Sequence, residues 1–146
     1  MLSIFRTTCQ SYLIPGTEVA IDEIMVHFYG QSSYTCKMPN KPIKQGYKIF
    51  ALAKDGYVWH FQLSSRQNKI AELEEVSNLI LTRFMVLQMV QLLPKFSNSH
   101  YIIYMDNYFT SISLFSMFCK ENIGAVRTTR LSGTDFPVLL IVLCQK

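Results

Sequence analysis

Charge is scarce in this chain: 16% of its 146 residues are Asp, Glu, Lys or Arg, far from the composition of a disordered or polyelectrolyte segment. Metal and redox patterns are missing too. Cys9, Cys36, Cys119 and Cys144 stand far apart, with no C-x-x-C pair and no His at ligand spacing. That excludes a zinc module and a thioredoxin-like motif, and predicts reduced, buried thiols. His27, His60 and His100 are equally scattered and are assigned no chemistry. No apolar run is long enough to cross a bilayer: residues 79–93 are interrupted by Arg83, Gln88 and Gln91, and residues 136–144 make up about half the required length. Residues 1–10 contain no signal-peptide core. Together these gaps lead us to expect an intracellular protein in a reducing compartment, not secreted and with no membrane segment.

The chain is rich in core material. Almost half of it is apolar, with ten Phe and eight Tyr, enough for one domain or part of one. The formal charge of +4 permits contact with a polyanion without requiring it.

Residues 1–16 show no clear periodicity and end in Pro15-Gly16, a turn signal, so they read as a leader. Residues 18–28 are rich in β-branched and aromatic side chains and predict a strand with Asp22 near its middle. If Asp22 shares a packed face with Ala20, Ile24 and Val26, its carboxylate needs a partner; if that face is solvated, Asp22 is simply exposed. Residues 30–46 have two prolines and no period, and predict a loop carrying Lys37, Lys41 and Lys44, a cluster open to a solvated or a phosphate-contacting reading. Residues 47–53 and 57–63 then form two strands joined by Lys54-Asp55-Gly56, a hairpin signal.

Ile70, Leu73, Val76, Ile80, Phe84, Leu87 and Val90 recur at steps of three and four, the stripe of a helix that Pro94 ends. Met85 and Met89 read as core filling. The run Ile102-Ile103-Tyr104-Met105 predicts a buried strand that ends in Asp106, where ligands of open α/β sheets bind. Thr110 and Ser111 are N-cap types ahead of an apolar helix over residues 112–118, and residues 122–127 return as a last short strand. The order is three strands, helix, strand, helix, strand, the plan of an RNase H-like α/β fold with a mixed sheet: an antiparallel meander extended by parallel strands.

In that plan the first and fourth strands are neighbours, so Asp22 and Asp106 converge. Two carboxylates about 4 Å apart repel by roughly 1 to 4 kcal/mol at surface-like dielectric, and a divalent cation turns that repulsion into coordination. Hard oxygen ligands suit Mg²⁺, and such ions activate a nucleophile and stabilise the leaving oxygen of a phosphodiester.

Ile14-Pro15-Gly16 with Val19-Ala20-Ile21-Asp22-Glu23, then Pro39-Asn40-Lys41-Pro42-Ile43-Lys44-Gln45-Gly46-Tyr47-Lys48-Ile49, Met105-Asp106-Asn107-Tyr108-Phe109-Thr110-Ser111 and Gly124-Ala125-Val126-Arg127 carry a resemblance to the transposase domain of the piggyBac family. It implies an RNase H-like DDE-type nuclease that cuts and joins transposon DNA with Mg²⁺, with Asp22 and Asp106 as the first two catalytic, metal-binding aspartates. It also implies a nuclear protein whose partners are DNA and full-length relatives.

Some family features are altered or missing. The third aspartate would lie beyond the fifth strand, where Asp135 is the one acid after Glu121, in a turn unsuited to replace it. A family Phe-Arg-Gly is here Phe28-Tyr29-Gly30, and no Cys-rich zinc module is present. The expected organisation is a leader at 1–16, a partial transposase domain at 17–137 and a divergent apolar tail at 138–146. The expected function is a truncated, inactive transposase core that retains two of three metal-binding acids. The alternative is a domesticated, non-enzymatic module that contacts DNA or protein through Lys37, Lys41, Lys44, Arg127 and Arg130.

Overall fold

A computed structural model of the chain describes residues 2–64, 81–95 and 100–128. The central strand is β1 (Glu18–His27), where Val19, Ile21 and Met25 are buried while Ala20, Asp22, Ile24 and Val26 are exposed. Period-two alternation therefore puts Asp22 on the solvated face.

On one side β1 pairs antiparallel with β3 (Gln45–Lys54), from Ala20↔Ala53 to His27↔Gly46. The outer edge of β3 takes β4 (Tyr57–Leu63) along most of its length and the short β2 (Thr35–Lys37) at its start. The turn between β3 and β4 has Asp55 at φ 50° and Gly56 at φ 82°, the two positive values that a two-residue hairpin turn of type I′ requires. β2 is an addition to the loop expected over 30–46. Its three pairs depend on Gly46, opposite Cys36 and His27, where a Cβ would meet the Val26 carbonyl oxygen at 2.0 Å.

On its other side β1 pairs in parallel with β5 (Ile102–Met105), which pairs in parallel with β6 (Gly124–Arg127). The connection from β5 to β6 is a 3-10 turn, Asn107–Phe109, followed by α3 (Ile112–Lys120). Ser111 caps α3, its side chain accepting from the Leu114 N–H at 3.1 Å. At the other end Asn122, at φ 58°, closes the helix: Ile123 N–H donates to the Phe118 carbonyl and Asn122 N–H to that of Cys119, the paired bonds of a Schellman motif.

α3 and α2 (Leu81–Gln91) contribute to one core on the inner face of the sheet. Leu52, Ile103 and Leu114 are fully buried there, with Met85, Val86, Met89, Phe109 and Phe118 around them, and each such aliphatic or aromatic side chain contributes roughly 1.5–3 kcal/mol. Met85 and Met89 are indeed core filling. The buried residues are Met85, Val86, Leu87, Met89, Val90 and Leu93, so Leu87 and Val90 of the expected stripe face the core while Phe84 is only half-buried. The first half of the expected helix, residues 70–80, lies outside the described residues.

The stretch read as a leader, without clear periodicity, contains α1 (Leu2–Tyr12), a helix lying on β4. It buries no residue of its own and is held by polar bonds, from Arg6 Nε to the Phe61 carbonyl, Tyr57 hydroxyl to the Cys9 carbonyl, and Trp59 Nε1 to the Leu13 carbonyl. One expectation is corrected: the described thiols are not buried, since Cys9 and Cys36 are half-buried and Cys119 is exposed, while Cys144 lies outside the described residues.

Candidate functional site

The parallel pairing of β1 with β5 ends at Ile21↔Met105, and the next residue on each strand is an acid. Ile21 and Met105 face the core, at 1% and 4% exposure, so Asp22 and Asp106 both leave the opposite face. Adjacent strands lie about 4.8 Å apart, and the two aspartates line one open cavity of about 470 Å³ with Ala20, Lys41, Tyr104, Val126, Arg127 and Thr128. The expected convergence of first- and fourth-strand acids is therefore present, on the solvated face.

Each carboxylate is tied to its backbone. Asp22 Oδ1 accepts from the Glu23 N–H at 2.7 Å. Asp106 Oδ1 accepts from the Asn107 N–H at 2.7 Å, capping the 3-10 turn, and from the Thr128 hydroxyl at 2.5 Å. Asp106 is thus a cap residue and a rim carboxylate at once.

Beyond Met105 the edge of β1 is no longer covered by β5, and Glu23 occupies that notch. Its Oε1 is 2.9 Å from Lys41 Nζ and its Oε2 2.5 Å from Lys48 Nζ. Burial pushes the Glu23 carboxyl up, but hydrogen bonds and charge from Lys48 and then Lys41 outweigh it and hold it below the usual value. Lys48 Nζ also lies 4.8 Å from the ring centre of Tyr108, two residues after Asp106. One carboxylate thereby links β1, the loop after β2, β3 and the turn after β5. Lys41 is raised above its ordinary value first by the Glu23 hydrogen bond, with Asp22 and Asp106 adding through charge.

The donor set suits a hard divalent cation. Two exposed carboxylates on neighbouring strands can share an ion whose other positions are filled by water and phosphate oxygens. Among the described residues no cluster of three or more His, Cys, Asp or Glu side chains surrounds such a position. Glu23 is adjacent in sequence, but its two oxygens are each paired with a lysine.

The basic residues separate into groups. Lys37 on β2 and Lys44 before β3 are exposed. Lys41 sits at the acid pair, its loop closed by hydrogen bonds from the Met38 N–H to the Lys44 carbonyl and from the Lys41 N–H to the Met38 carbonyl. Arg127 donates to Asn107 Oδ1 at 3.4 Å and lies over Phe115. Arg130 and Asp135 lie outside the described residues. Another cavity of about 570 Å³, lined by Tyr29, Gly30, Gln31, Ser32, Ser33, Thr35 and Gln45, is bordered by no carboxylate, imidazole or thiol.

Sequence reasoning missed the roles of Glu23, Lys48, Tyr108 and Thr128. Glu23 carried a signal, an acid beside Asp22 in the same motif. Thr128 had none, because its role depends on a register that only pairing defines.

Comparison with known proteins agrees with this fold. Residues 1–143 match the model of the family described as Transposase IS4, a match that includes α1. The human PiggyBac transposable element-derived protein 3 is 27% identical over 136 residues, 92% of this chain and 22% of that protein. The human chimeric ERCC6-PGBD3 protein is also 27% identical, over 12% of its length. The chain thus spans about a fifth or less of the curated relatives it matches. A solved piggyBac transposase synaptic complex with hairpin DNA superposes with a TM-score of 0.77 at 25% identity, covering 94% of this chain and 28% of that one; its catalytic fold is RNase H-like. The chain belongs to the Transposase IS4 family and, within it, to the piggyBac type, as a partial member.

Proposed function

We propose that this chain is a DNA-binding portion of a transposase nuclease domain, in which Asp22 and Asp106 hold Mg²⁺ against a backbone phosphate. The observation that carries the reading is the register: both acids follow the last residue pair of two adjacent parallel strands, on the same face of the sheet. The DNA in the similar synaptic complex supports the choice of polymer. When bound, Mg²⁺ would polarise a phosphodiester and lower the barrier to attack on phosphorus. The carboxylates position the ion, the Asn107 N–H and the Thr128 hydroxyl hold Asp106, and Lys41 adds positive charge beside the pair. Lys37, Lys44, Arg127 and Arg130 are assigned to flanking phosphates, and a nuclear location follows from the substrate.

On this reading the chain binds DNA without strand transfer. Two carboxylates hold a divalent cation weakly and leave in-line geometry unfixed, and Glu23 is engaged by its lysines. The test is Mg²⁺-dependent nicking of supercoiled plasmid by the purified chain and by Asp106→Asn, alongside DNA binding by anisotropy. Salt-sensitive binding without nicking is expected; robust cutting that Asp106→Asn abolishes would overturn the inactive part of the reading.

A second reading is favoured by Lys37 and Lys44, which are exposed and do not line the cavity of the acids. It is a binding module that needs no metal. DNA affinity unchanged by EDTA and by loss of both aspartates would select it.

A further inference from the structure

Three adjacent parallel strands stop pairing on one row, Ile21↔Met105↔Arg127. The residues that follow are Asp22, Asp106 and Thr128, and all three line the same cavity. Strand alternation sends them out on one face, so the third member of the row of two acids is a hydroxyl. The Thr128 N–H donates to the Met105 carbonyl at 3.2 Å, continuing the ladder one step past β6. Its hydroxyl then donates to Asp106 Oδ1 at 2.5 Å. The preceding Arg127 donates to Asn107 Oδ1, so the end of β6 clamps the turn that carries Asp106.

Resting on the reading of Asp22 and Asp106 as cation ligands, we infer that Thr128 is a positioning residue for that site, setting the plane of the Asp106 carboxylate before an ion arrives. Asp106 is exposed, and any rotamer freedom left to its side chain is freedom that an ion would have to restrict on binding. Two donors on one oxygen, the Asn107 N–H and the Thr128 hydroxyl, remove that freedom. Hydrogen bonds to a metal ligand that orient it in this way typically change metal affinity by about 10- to 100-fold. An exposed two-carboxylate site belongs at the low end. Thr128 is itself exposed, so its substitution leaves the core intact.

The experiment uses the full chain with Mn²⁺ as the probe, read by electron paramagnetic resonance of the free ion, for wild type, Thr128→Val, Thr128→Ser and Asp106→Asn. Thr128→Val keeps the shape and loses the donor; it is expected to weaken Mn²⁺ about tenfold, while Thr128→Ser stays within about twofold of wild type. DNA affinity in EDTA, which a general loosening of the strand end would alter, should not change in Thr128→Val. Wild-type Mn²⁺ binding by Thr128→Val, beside a clear loss in Asp106→Asn, overturns the inference and leaves the acid pair standing. A Thr128→Ser variant as weak as Thr128→Val also overturns it, because the hydroxyl is then not the cause. If Asp106→Asn binds Mn²⁺ as wild type does, the acid-pair reading falls and the inference with it.

Discussion

Replacing Glu23 with Gln removes the one carboxylate that joins four segments around the acid pair, and its effect can be worked out from the contacts. Glu23 and Lys48 side chains are each 13% exposed and 2.5 Å apart, whereas Lys41 is 40% exposed at 2.9 Å. A charge-assisted hydrogen bond of the first kind contributes about 1.5–3 kcal/mol, and water at the rim of the sheet keeps the value low. Glu23→Gln should therefore destabilise by about 1–2 kcal/mol near pH 7, a fall in Tm of roughly 3–6 °C for a chain of this size. The sign with pH follows from the carboxyl being held below its ordinary 4.5. A depressed folded-state value gives stability that is fully present above about pH 4.5 and is lost as pH falls through the lower folded value. Thermal unfolding of wild type and variant from pH 7 to pH 3, followed by circular dichroism, should show the difference shrinking below about pH 4.5. In double-mutant cycles Glu23 should couple more strongly to Lys48 than to Lys41. Equal Tm values at pH 7, a gap unchanged at pH 3, or stronger coupling to Lys41 would refute the argument.

Substitutions at three further positions probe the fold that carries the site. Gly46→Ala would place a Cβ 2.0 Å from the Val26 carbonyl oxygen, where backbone on both sides cannot yield; a loss of about 3 kcal/mol in urea unfolding is expected, and a loss below about 1 would contradict the close approach. Asn122→Val puts a β-branched residue at φ 58° and should cost about 1–2 kcal/mol, while Asn122→Gly is neutral or stabilising by the same measurement. Burial, then the Arg6 charge, holds His60 below its ordinary 6.5, so stability is full above about pH 6.5 and declines as pH falls through the lower folded value. Because protonation removes the acceptor for Gln10 Nε2, the decline should be absent in His60→Gln when Tm is followed between pH 7.5 and 5.

How much of this was legible in the sequence depends on what kind of contact each element makes. The Asp55-Gly56 hairpin, the strand before Asp106 and the Ser111 cap were readable because each is a local rule, satisfied within a few residues; the strand is buried on one face only, with Tyr104 exposed on the other. The face of Asp22 was not. Val19, Ile21 and Met25 are apolar, but so are Ala20, Ile24 and Val26, and periodicity cannot choose between two apolar faces. The choice was made elsewhere, by α2 and α3 joining the core with Phe50, Leu52, Ile103 and Met105. α1 escaped notice for a different reason. Leu2, Ile4 and Phe5 are exposed, and the helix is anchored by side chain to backbone bonds that leave no hydrophobic stripe.

The lysine cluster shows most clearly how charge in a sequence differs from charge in a site. Counted along the chain, Lys37, Lys41, Lys44 and Lys48 make a patch of four positive charges. In the fold Lys41 and Lys48 share Glu23, which removes part of that field and fixes the remainder. A general polyanion attraction is weakened by this pairing, since the carboxylate sits within the Debye length of every phosphate the lysines could meet. A placed attraction is strengthened, because Lys41 lines the same cavity as Asp22 and Asp106, whose like charges repel a phosphate approaching without a cation. Glu23 thus exchanges diffuse affinity for an ammonium at the rim where phosphate would arrive. That is the arrangement a phosphodiester site needs and a merely basic surface does not.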